Sequence, residues 1–382
     1  MRLPATTDYY QTQEYIMKIG IITMHRVLNI GSVLQAYATQ KAFEKLGYES
    51  ELIDYMYISE TKTSVKSKIL SFGLNILLGF PKQKRKKRLT AFYDKYFKCS
   101  EKSYDKQSIQ NDPPIYDIYC TGSDQVWNPR YVKDDVSFML NFVPEGKKRI
   151  SYGSSFATDC VPVDYEKLYA EHLSKYNSIT VREKTGIDLV KHLTKKDARL
   201  VCDPTLLLEA KEWNVISESS VTHVKEPYIL VYFLGYMFDP RPHLFDIIND
   251  VQKKLGMHVY YLNGGHQEMK QPNSTVYRGQ GPSEFIEMIR NASFIITDSF
   301  HGTAFATIYN IPMMGIVKST KYGDDRIGSL RTTVGGTKSI IEYDSYDKSF
   351  SKAFIDDYKC DATLVNEFRE KSLNIIKNMV EQ

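Results

Sequence analysis

Short apolar segments alternate with amphipathic segments along most of this 382-residue chain. Near its start, Lys18–Met24 is an apolar stretch of strand length, and Ser50–Tyr55 is a second one. Between them, Gly31–Leu46 has apolar residues at the spacing of an amphipathic helix. Since a strand, a helix and a strand in this order pair their strands in parallel, the pattern predicts an α/β fold built on parallel sheets.

The alternation occurs in two series, separated by the polar stretch Ser217–Glu226. It predicts two doubly wound, Rossmann-like domains, residues 17–216 and 227–345, and a helical tail over residues 346–382. Two such domains facing across a cleft resemble the GT-B architecture of two-domain glycosyltransferases. Folds of this kind bind ligands at the carboxyl ends of their strands, so polar side chains that follow strands are the candidates for a site.

Composition and charge narrow the class of protein. Hydrophobic residues make up 42% of the chain and charged residues 25%, which excludes extended disorder and coiled coils. The 50 Lys and Arg residues against 46 Asp and Glu lack the excess typical of duplex binding, so we expect no nucleic-acid partner. The five cysteines are widely spaced without a CxxC pair, which favours a reducing compartment. No apolar run reaches the length of a membrane span or signal peptide, so we expect a cytoplasmic protein.

The familiar nucleotide-binding and nucleophile motifs are missing from the chain. No GxGxxG follows a predicted strand, and neither GxxxxGK[ST] nor GxSxG occurs. An NAD enzyme is therefore not expected, and the sequence predicts neither a metal site nor a bound cofactor.

A basic run follows an apolar segment in the first series. Six of the eight residues of Pro81–Arg88 are Lys or Arg, and the interrupted apolar segment Ile69–Phe80 precedes them. A solvated helix face is the interpretation that we favour. The alternatives are contact with an anionic membrane surface through Lys82–Arg88, at the inner face of the membrane, and nucleic-acid binding.

Polar residues follow two predicted strands of the first series. Asn29, Gly31 and Ser32 lie between the first strand and its helix, where backbone can approach an anionic ligand. The alternative is that they form only the turn and the cap of that helix. After the strand Tyr116–Thr121, a second group is either a sugar-binding edge with an aromatic surface or a buried network that braces the strand end. It comprises Ser123, Asp124, Gln125 and Trp127.

Cationic candidates follow other strands. Arg182 ends the strand Ser178–Arg182, where a guanidinium can bind phosphate or carboxylate through two hydrogen bonds. An ion pair on the domain surface is the alternative. Lys318 and Arg326 follow the strand Met313–Val317 and predict an anionic ligand for the second domain, unless they are merely solvated.

A histidine lies at the end of a strand in the second series. Ser299 and His301 follow the strand Ser293–Thr297 at a predicted helix N-terminus, where an anion would be stabilised. Histidine carries protons near neutral pH, although position alone favours a structural role.

In the order of these motifs, the sequence resembles the polysaccharide pyruvyl transferase family from about Lys18 to about Glu342. No single motif is specific to the family, but the ordered set is. The landmarks are Gly20–Thr23, Asn29–Ser32 with Leu34–Ala36, Gly122–Asn128, Val181–Glu183, Asp203–Thr205 and Asp298–Gly302.

The resemblance implies a GT-B-like transferase that moves the pyruvyl group of phosphoenolpyruvate to a sugar of a surface polysaccharide, capsule or precursor. The products are a pyruvate ketal and phosphate. The resemblance also implies that His301 is the functional histidine, which we expect to act as acid and base, and that Arg182 is the arginine that anchors the donor. Many members carry arginine two residues before this histidine, where this chain has Ser299, and we expect Arg326 or Lys318 to compensate.

The implied partners are phosphoenolpyruvate, as a co-substrate on the second domain, and a sugar acceptor, including a lipid-linked one, on the first. Two alternatives stay open at this point. One is a nucleotide-sugar glycosyltransferase of the same fold, and the other is a non-catalytic binding protein of polysaccharide biosynthesis.

Overall fold

In the computed structural model, the residues described here are 16–57, 80–235, 238–241, 243–263, 268–321 and 323–382. They form two α/β domains with parallel sheets, so the predicted fold class is confirmed. The connection between the domains, residues 218–227, overlaps the polar stretch Ser217–Glu226. Most of the apolar segment Ile69–Phe80 and the first fifteen residues fall outside the described ranges.

The first domain is built on parallel strands in the order β3-β2-β1-β4-β5. Two further strands, β6 and β7, pair with each other, and an isolated bridge between Ile150 and Ser178 joins them to the edge at β5. The strands are β1 (Lys18–Ile22), β2 (Glu49–Tyr55), β3 (Cys99–Tyr104), β4 (Ile118–Thr121), β5 (Lys148–Ser151), β6 (Ile179–Val181) and β7 (Ala198–Leu200).

Helices connect these strands and cover the sheet. The first of them, α1, begins after Asn29, whose side chain accepts a hydrogen bond from the backbone N–H of Ser32 at 3.2 Å. The helices are α1 (Ile30–Lys45), α2 (Pro81–Tyr96), α3 (Ser108–Asn111), α4 (Pro129–Val132), α5 (Val163–Leu173), α6 (Lys184–Thr194), α7 (Pro204–Leu207) and α8 (Ala210–Ser217), with a 3₁₀ turn at Val136–Met139.

The second domain has parallel strands in the order β10-β9-β8-β11-β12-β13, the doubly wound order of a Rossmann fold. These are β8 (Tyr228–Tyr232), β9 (His258–Leu262), β10 (Ser274–Tyr277), β11 (Phe294–Thr297), β12 (Met313–Val317) and β13 (Ile340–Glu342). Its helices are α9 (His243–Leu255), α10 (Pro282–Arg290), α11 (Phe300–Ile308) and α12 (Arg326–Thr333), with 3₁₀ turns at Glu268–Lys270, Thr337–Ser339 and Lys352–Tyr358.

Each sheet has one point at which the winding reverses direction. In the first domain it lies between β1 and β4, and in the second between β8 and β11. The loops after two adjacent strands diverge at such a point and leave a crevice, which is where open α/β sheets bind ligands. The fold therefore predicts a ligand site at the loops that follow these four strands.

The C-terminal tail is buried first in the second domain, through Phe350 and Tyr358, and then against the first. Its helix, α13 (Ala362–Glu381), buries Phe368, Ile376 and Met379 in one apolar cluster with Ile19 and Ile21 of β1. The chain thus crosses from the second domain back to the first, and burial of this apolar surface holds the two domains together.

Helix α2, which carries the basic run, also bridges the domains. Its Leu89 and Phe92 are buried in a cluster that includes Phe285 of α10. Arg88 donates to the carbonyl of Gly279 at 2.7 Å and pairs with Glu284 at 3.3 Å. Arg88 therefore has a structural role, whereas the other face of the helix is exposed. No helix in the described ranges is both long and apolar enough to cross a bilayer.

Candidate functional site

A cavity lies between the two domains, at the loops where both sheets reverse direction. The first domain contributes the loops after β1 and β4, and the second contributes the loops after β8 and β11 and the start of α12. Six predicted site residues meet here, namely Asn29, Asp124, Gln125, Ser299, His301 and Arg326, together with Leu234, Phe238, Asp298 and Phe300.

Two helix N-termini border this cavity, one from each domain. Asn29 caps α1, and Ser299 caps α11 by accepting a hydrogen bond from the Gly302 N–H at 3.3 Å. The first N–H groups of a helix lack partners within the helix, and the aligned peptide dipoles place partial positive charge at this end. Both helices therefore favour a bound anion between the domains.

His301 lies at the junction of the domains. Only 7% of the residue is exposed, and its Nε2 has no hydrogen-bond partner. Burial lowers the pKa of His301 to about 4, although the nearby carboxylate of Asp203 opposes this effect. The imidazole is consequently neutral at neutral pH and offers one unprotonated nitrogen as a proton acceptor.

Arg182 lies behind the cavity, and it does not line it. Its side chain is fully buried, and its two terminal nitrogens pair with Asp203 at 2.6 Å and Asp124 at 3.3 Å. The guanidinium also lies 4.4 Å from the ring centroid of Phe300. The prediction that Arg182 contacts a ligand directly is therefore corrected. Its guanidinium is already paired with two buried carboxylates.

Asp124 is the first-domain carboxylate at the cavity. Its backbone has φ +77°, a left-handed conformation that non-glycine residues adopt infrequently. Its carboxylate accepts hydrogen bonds from the Gln125 N–H at 2.9 Å and from the hydroxyl of Ser32. Burial opposes ionisation, but the positive charge of Arg182 prevails and lowers the pKa of Asp124. Ser32 is not part of the cavity lining, and its hydroxyl helps to hold the Asp124 carboxylate in place.

Two predicted contacts of the polar group after β4 are corrected by the structure. Trp127 is fully buried, and its Nε1 donates to the carbonyl of Phe138 at 3.2 Å, so its ring is core and cannot support a sugar. Ser123 is also fully buried and donates to the carbonyl of Gly153 at 2.8 Å. The bracing interpretation holds for these two residues, since both side chains point into the domain.

Gln125 remains at the cavity. Its Oε1 accepts a hydrogen bond from the Asn128 Nδ2 at 2.7 Å, so the amide nitrogen is the group left to donate to a ligand. Among the loops after β1 and β4, Asn29 and Gln125 supply the neutral polar groups of the cavity lining.

The two candidate cations of the second domain have different positions. Arg326 lines the cavity at the start of α12 and donates from Nε to Asp324 at 2.7 Å. Burial opposes its charge, but the Asp324 carboxylate raises the pKa of Arg326, so the guanidinium stays ionised. Lys318 is exposed after β12 and lies outside the cavity lining. The structure therefore brings Arg326, and not Lys318, to the site.

Sequence reasoning missed the loop after β8. Leu234 and Phe238 line the cavity there, and Asp298 holds the loop by accepting from the N–H groups of Leu234 at 2.7 Å and Gly235 at 2.8 Å. Burial raises the pKa of Asp298, whereas these two N–H groups oppose that effect. The sequence pattern could have indicated this loop, because it follows the first strand of the second series. In a doubly wound sheet that strand borders the crevice.

Comparison with known proteins gives one family match by sequence. The model of the family described as polysaccharide pyruvyl transferase matches residues 29–319, which include every lining residue except Arg326. No curated protein matches the chain.

Solved structures with the same fold include sugar-nucleotide enzymes of low sequence identity. A protein assigned as a UDP-N-acetylglucosamine 2-epimerase from Listeria monocytogenes superposes with TM-score 0.61 at 12% identity, covering 96% of this chain and 97% of its own. The Neisseria meningitidis UDP-GlcNAc 2-epimerase bound to UDP-GlcNAc gives 0.59 at 9% identity, covering 96% and 100%. The Methanocaldococcus jannaschii enzyme in complex with UDP-GlcNAc and UDP gives 0.53 at 12%, covering 96% and 100%. At these identities the likeness establishes the fold alone, which is the predicted GT-B type.

Proposed function

Because the chain belongs to the polysaccharide pyruvyl transferase family, we propose that it transfers the pyruvyl group of phosphoenolpyruvate to a sugar, forming a pyruvate ketal and releasing phosphate. The acceptor is a surface polysaccharide, such as an exopolysaccharide or capsule, or its precursor. The reaction takes place in the cytoplasm and needs phosphoenolpyruvate as a co-substrate, with no further cofactor.

One observation carries this proposal. His301, whose Nε2 has no hydrogen-bond partner, lines a cavity that two helix N-termini and the guanidinium of Arg326 make favourable for anions. Phosphoenolpyruvate carries a phosphate and a carboxylate, and a guanidinium at the cavity lining can donate a charge-assisted hydrogen bond to either group. An anion site next to a proton acceptor is the combination that this chemistry requires.

The protons of the reaction balance with one acid/base group. Two sugar hydroxyls add to C2 of the donor in succession, the bond from C2 to the phosphate oxygen breaks, and two hydroxyl protons are released. One of these protons ends on C3, which becomes a methyl group, and the other leaves with phosphate. Neutral His301 can accept the proton of the first hydroxyl and deliver it to C3, a transfer that the nearby Asp203 carboxylate supports by stabilising the imidazolium.

The geometry supports an assignment of the two substrates to the two domains. Arg326 and the α11 N-terminus belong to the second domain and suit the donor. Asn29 and Gln125 belong to the first domain, and amides suit sugar hydroxyls because they both donate and accept hydrogen bonds.

The test is product analysis of the full chain incubated with phosphoenolpyruvate and a panel of lipid-linked and nucleotide-linked sugars. We expect equal release of phosphate and of a product heavier than its acceptor by one pyruvate ketal. Thermal stabilisation by phosphoenolpyruvate alone would provide independent support. Stabilisation by a nucleotide-sugar, with transfer of its sugar and no ketal, would replace this proposal with a glycosyltransferase. Stabilisation by neither ligand and no product would favour a non-catalytic binding protein.

A further inference from the structure

We propose that Asp124 is a second catalytic residue, a fixed negative charge that stabilises the cationic carbon formed during ketal formation. This inference rests on the proposed transferase function and adds a role that binding alone does not require. It concerns a side chain of the first domain, in a cavity to which the second domain contributes the Arg326 guanidinium.

The position of Asp124 is held from several directions. The residue follows β4 at the point where the sheet reverses, lines the cavity and is only 6% exposed. Its φ of +77° is an infrequent conformation for aspartate, and such conformations concentrate at functional sites. A carboxylate held in this way does not need to reorganise when charge develops near it.

The surroundings of Asp124 keep it ionised. Arg182, the Ser32 hydroxyl and the Gln125 N–H all direct hydrogen-bond donors to its two oxygens. Arg182 in turn is fixed by Asp203 at 2.6 Å, so this cation stays in place independently of Asp124. The site therefore maintains a negative charge beside a cavity that otherwise favours anions.

The second carboxylate of the cavity, Asp298, has a different role. Its two oxygens accept hydrogen bonds from the N–H groups of Leu234 and Gly235, which anchors the loop after β8. Asp124 is thus the cavity carboxylate that is paired with a cation through its side chain and held in a left-handed backbone conformation.

Ground-state binding does not explain a carboxylate at this position. An anionic donor is repelled by Asp124, so the charge weakens binding of phosphoenolpyruvate. As C3 takes up the proton that His301 received from the first hydroxyl, however, positive charge develops at C2, and loss of phosphate then leaves C2 as an oxocarbenium-like centre until the second sugar oxygen bonds to it. A buried carboxylate stabilises that centre, and an interaction that is stronger in the transition state than in the ground state raises kcat.

The left-handed backbone at Asp124 makes a matched pair of variants possible. Asparagine and glycine both tolerate a positive φ, so Asp124→Asn and Asp124→Gly remove the carboxylate while keeping the turn. Arg182 retains Asp203 in both variants, so we expect both to fold, which a thermal melt checks. The experiment measures the Kd for phosphoenolpyruvate by calorimetry and the turnover by phosphate release, with the wild-type chain beside both variants.

We expect kcat to fall on the order of 10²–10³-fold in both variants, while phosphoenolpyruvate binds as tightly as to the wild type or a few-fold more tightly. A merely structural role would instead weaken binding and turnover together, and that result would overturn the inference. Turnover within about three-fold of the wild type in either folded variant would overturn it as well. A wild-type chain that neither binds nor converts phosphoenolpyruvate would instead defeat the proposed function, so the two failures are distinguishable.

Discussion

The imidazole ring of His301, in the second domain, lies directly against the backbone of Gly31, in the first turn of α1 in the first domain. A methyl group added at Gly31 would lie 2.1 Å from Nδ1 of the imidazole and 2.4 Å from its Cγ. No side chain fits at residue 31 with the ring in this position. The absence of a side chain at Gly31 therefore allows the imidazole of His301 to lie this close to the first domain.

Gly31→Ala tests this contact, because two physical effects of the substitution have opposite signs. Alanine is a better helix former than glycine by up to about 1 kcal/mol, so helix propensity alone predicts a stabilised protein. The contact with His301 predicts displacement of the ring, with a loss of turnover of roughly ten-fold or more. Steady-state kinetics and urea unfolding measure both. Gly328→Ala in α12, where an added methyl meets no atom within 4 Å, is the matched control and should keep full turnover.

Replacement of His301 should separate chemistry from binding. His301→Gln removes the proton acceptor and is expected to lower turnover by about 10²–10⁴-fold, while phosphoenolpyruvate binding stays within a few-fold. His25→Gln serves as a control, since His25 is also buried but bonds Asp54 outside the cavity lining. Near-normal turnover of a folded His301→Gln protein would reassign His301 to a structural role.

The two cations that the sequence offers should behave differently. Arg326→Gln is expected to weaken phosphoenolpyruvate binding by about 10–100-fold, because a charge-assisted contact is lost. Arg326→Lys should restore part of it, since ammonium keeps the charge without the planar fork. Lys318→Gln, outside the cavity lining, should bind the donor normally. If calorimetry showed equal losses of phosphoenolpyruvate affinity in Arg326→Gln and Lys318→Gln, Arg326 would not be the cation that binds the donor.

A buried carboxyl next to the site should make stability depend on pH. Glu183 is fully buried, and its Oε1 accepts hydrogen bonds from the N–H groups of Phe156 at 2.8 Å and Ala157 at 3.2 Å. Its Oε2 has no partner. Burial raises the pKa of Glu183 to about 7, although Arg182 and Arg326 oppose the shift.

Because this pKa is raised in the folded chain, the folded state holds the proton more tightly than the unfolded state. The contribution of Glu183 to the free energy of unfolding is therefore largest in acid and is lost as pH rises from about 4.5 to about 7. Glu183→Gln keeps an acceptor for the two N–H groups and serves as the reference. Relative to this variant, the free energy of unfolding of the wild type should fall by on the order of 3 kcal/mol between pH 4 and pH 8. Urea unfolding of both proteins across this range measures the difference. Parallel curves would show that Glu183 does not titrate between folded and unfolded states.

The exposed face of α2 supplies a test of membrane contact. Lys84, Lys86 and Lys87 are exposed, whereas Arg88 is used between the domains. We propose that these lysines contact anionic lipid, so their replacement by glutamine should weaken binding to phosphatidylserine vesicles at low salt, with a smaller effect at high salt. The control replaces Lys167, Lys371 and Lys377, which are exposed elsewhere, and matches the change in net charge. Equal vesicle binding by the two triple variants would leave the solvated helix face as the explanation.

Local sequence patterns predicted many of the strands and helices and the edge of the sheet at which a site forms, but they missed β3, β10 and β13. The strand Met313–Val317 has the predicted bounds, because apolar runs and the breaks between them depend on neighbouring residues. The order of strands and helices predicted the doubly wound fold. That fold brings the ends of β1, β4, β8 and β11 together, and so the positions of Asn29, Asp124 and His301 at one cavity were foreseeable.

Only the tertiary structure decided which side chains reach the cavity and which are buried behind it. Trp127 and Arg182 follow strands as the pattern requires, yet one lies in the core and the other is neutralised by Asp203 and Asp124, 21 and 58 residues away. The contact of His301 with Gly31 and the return of α13 to the first domain likewise join distant segments. Burial and ion pairing depend on which residues meet in space, and local periodicity carries no information about partners so far apart in the chain.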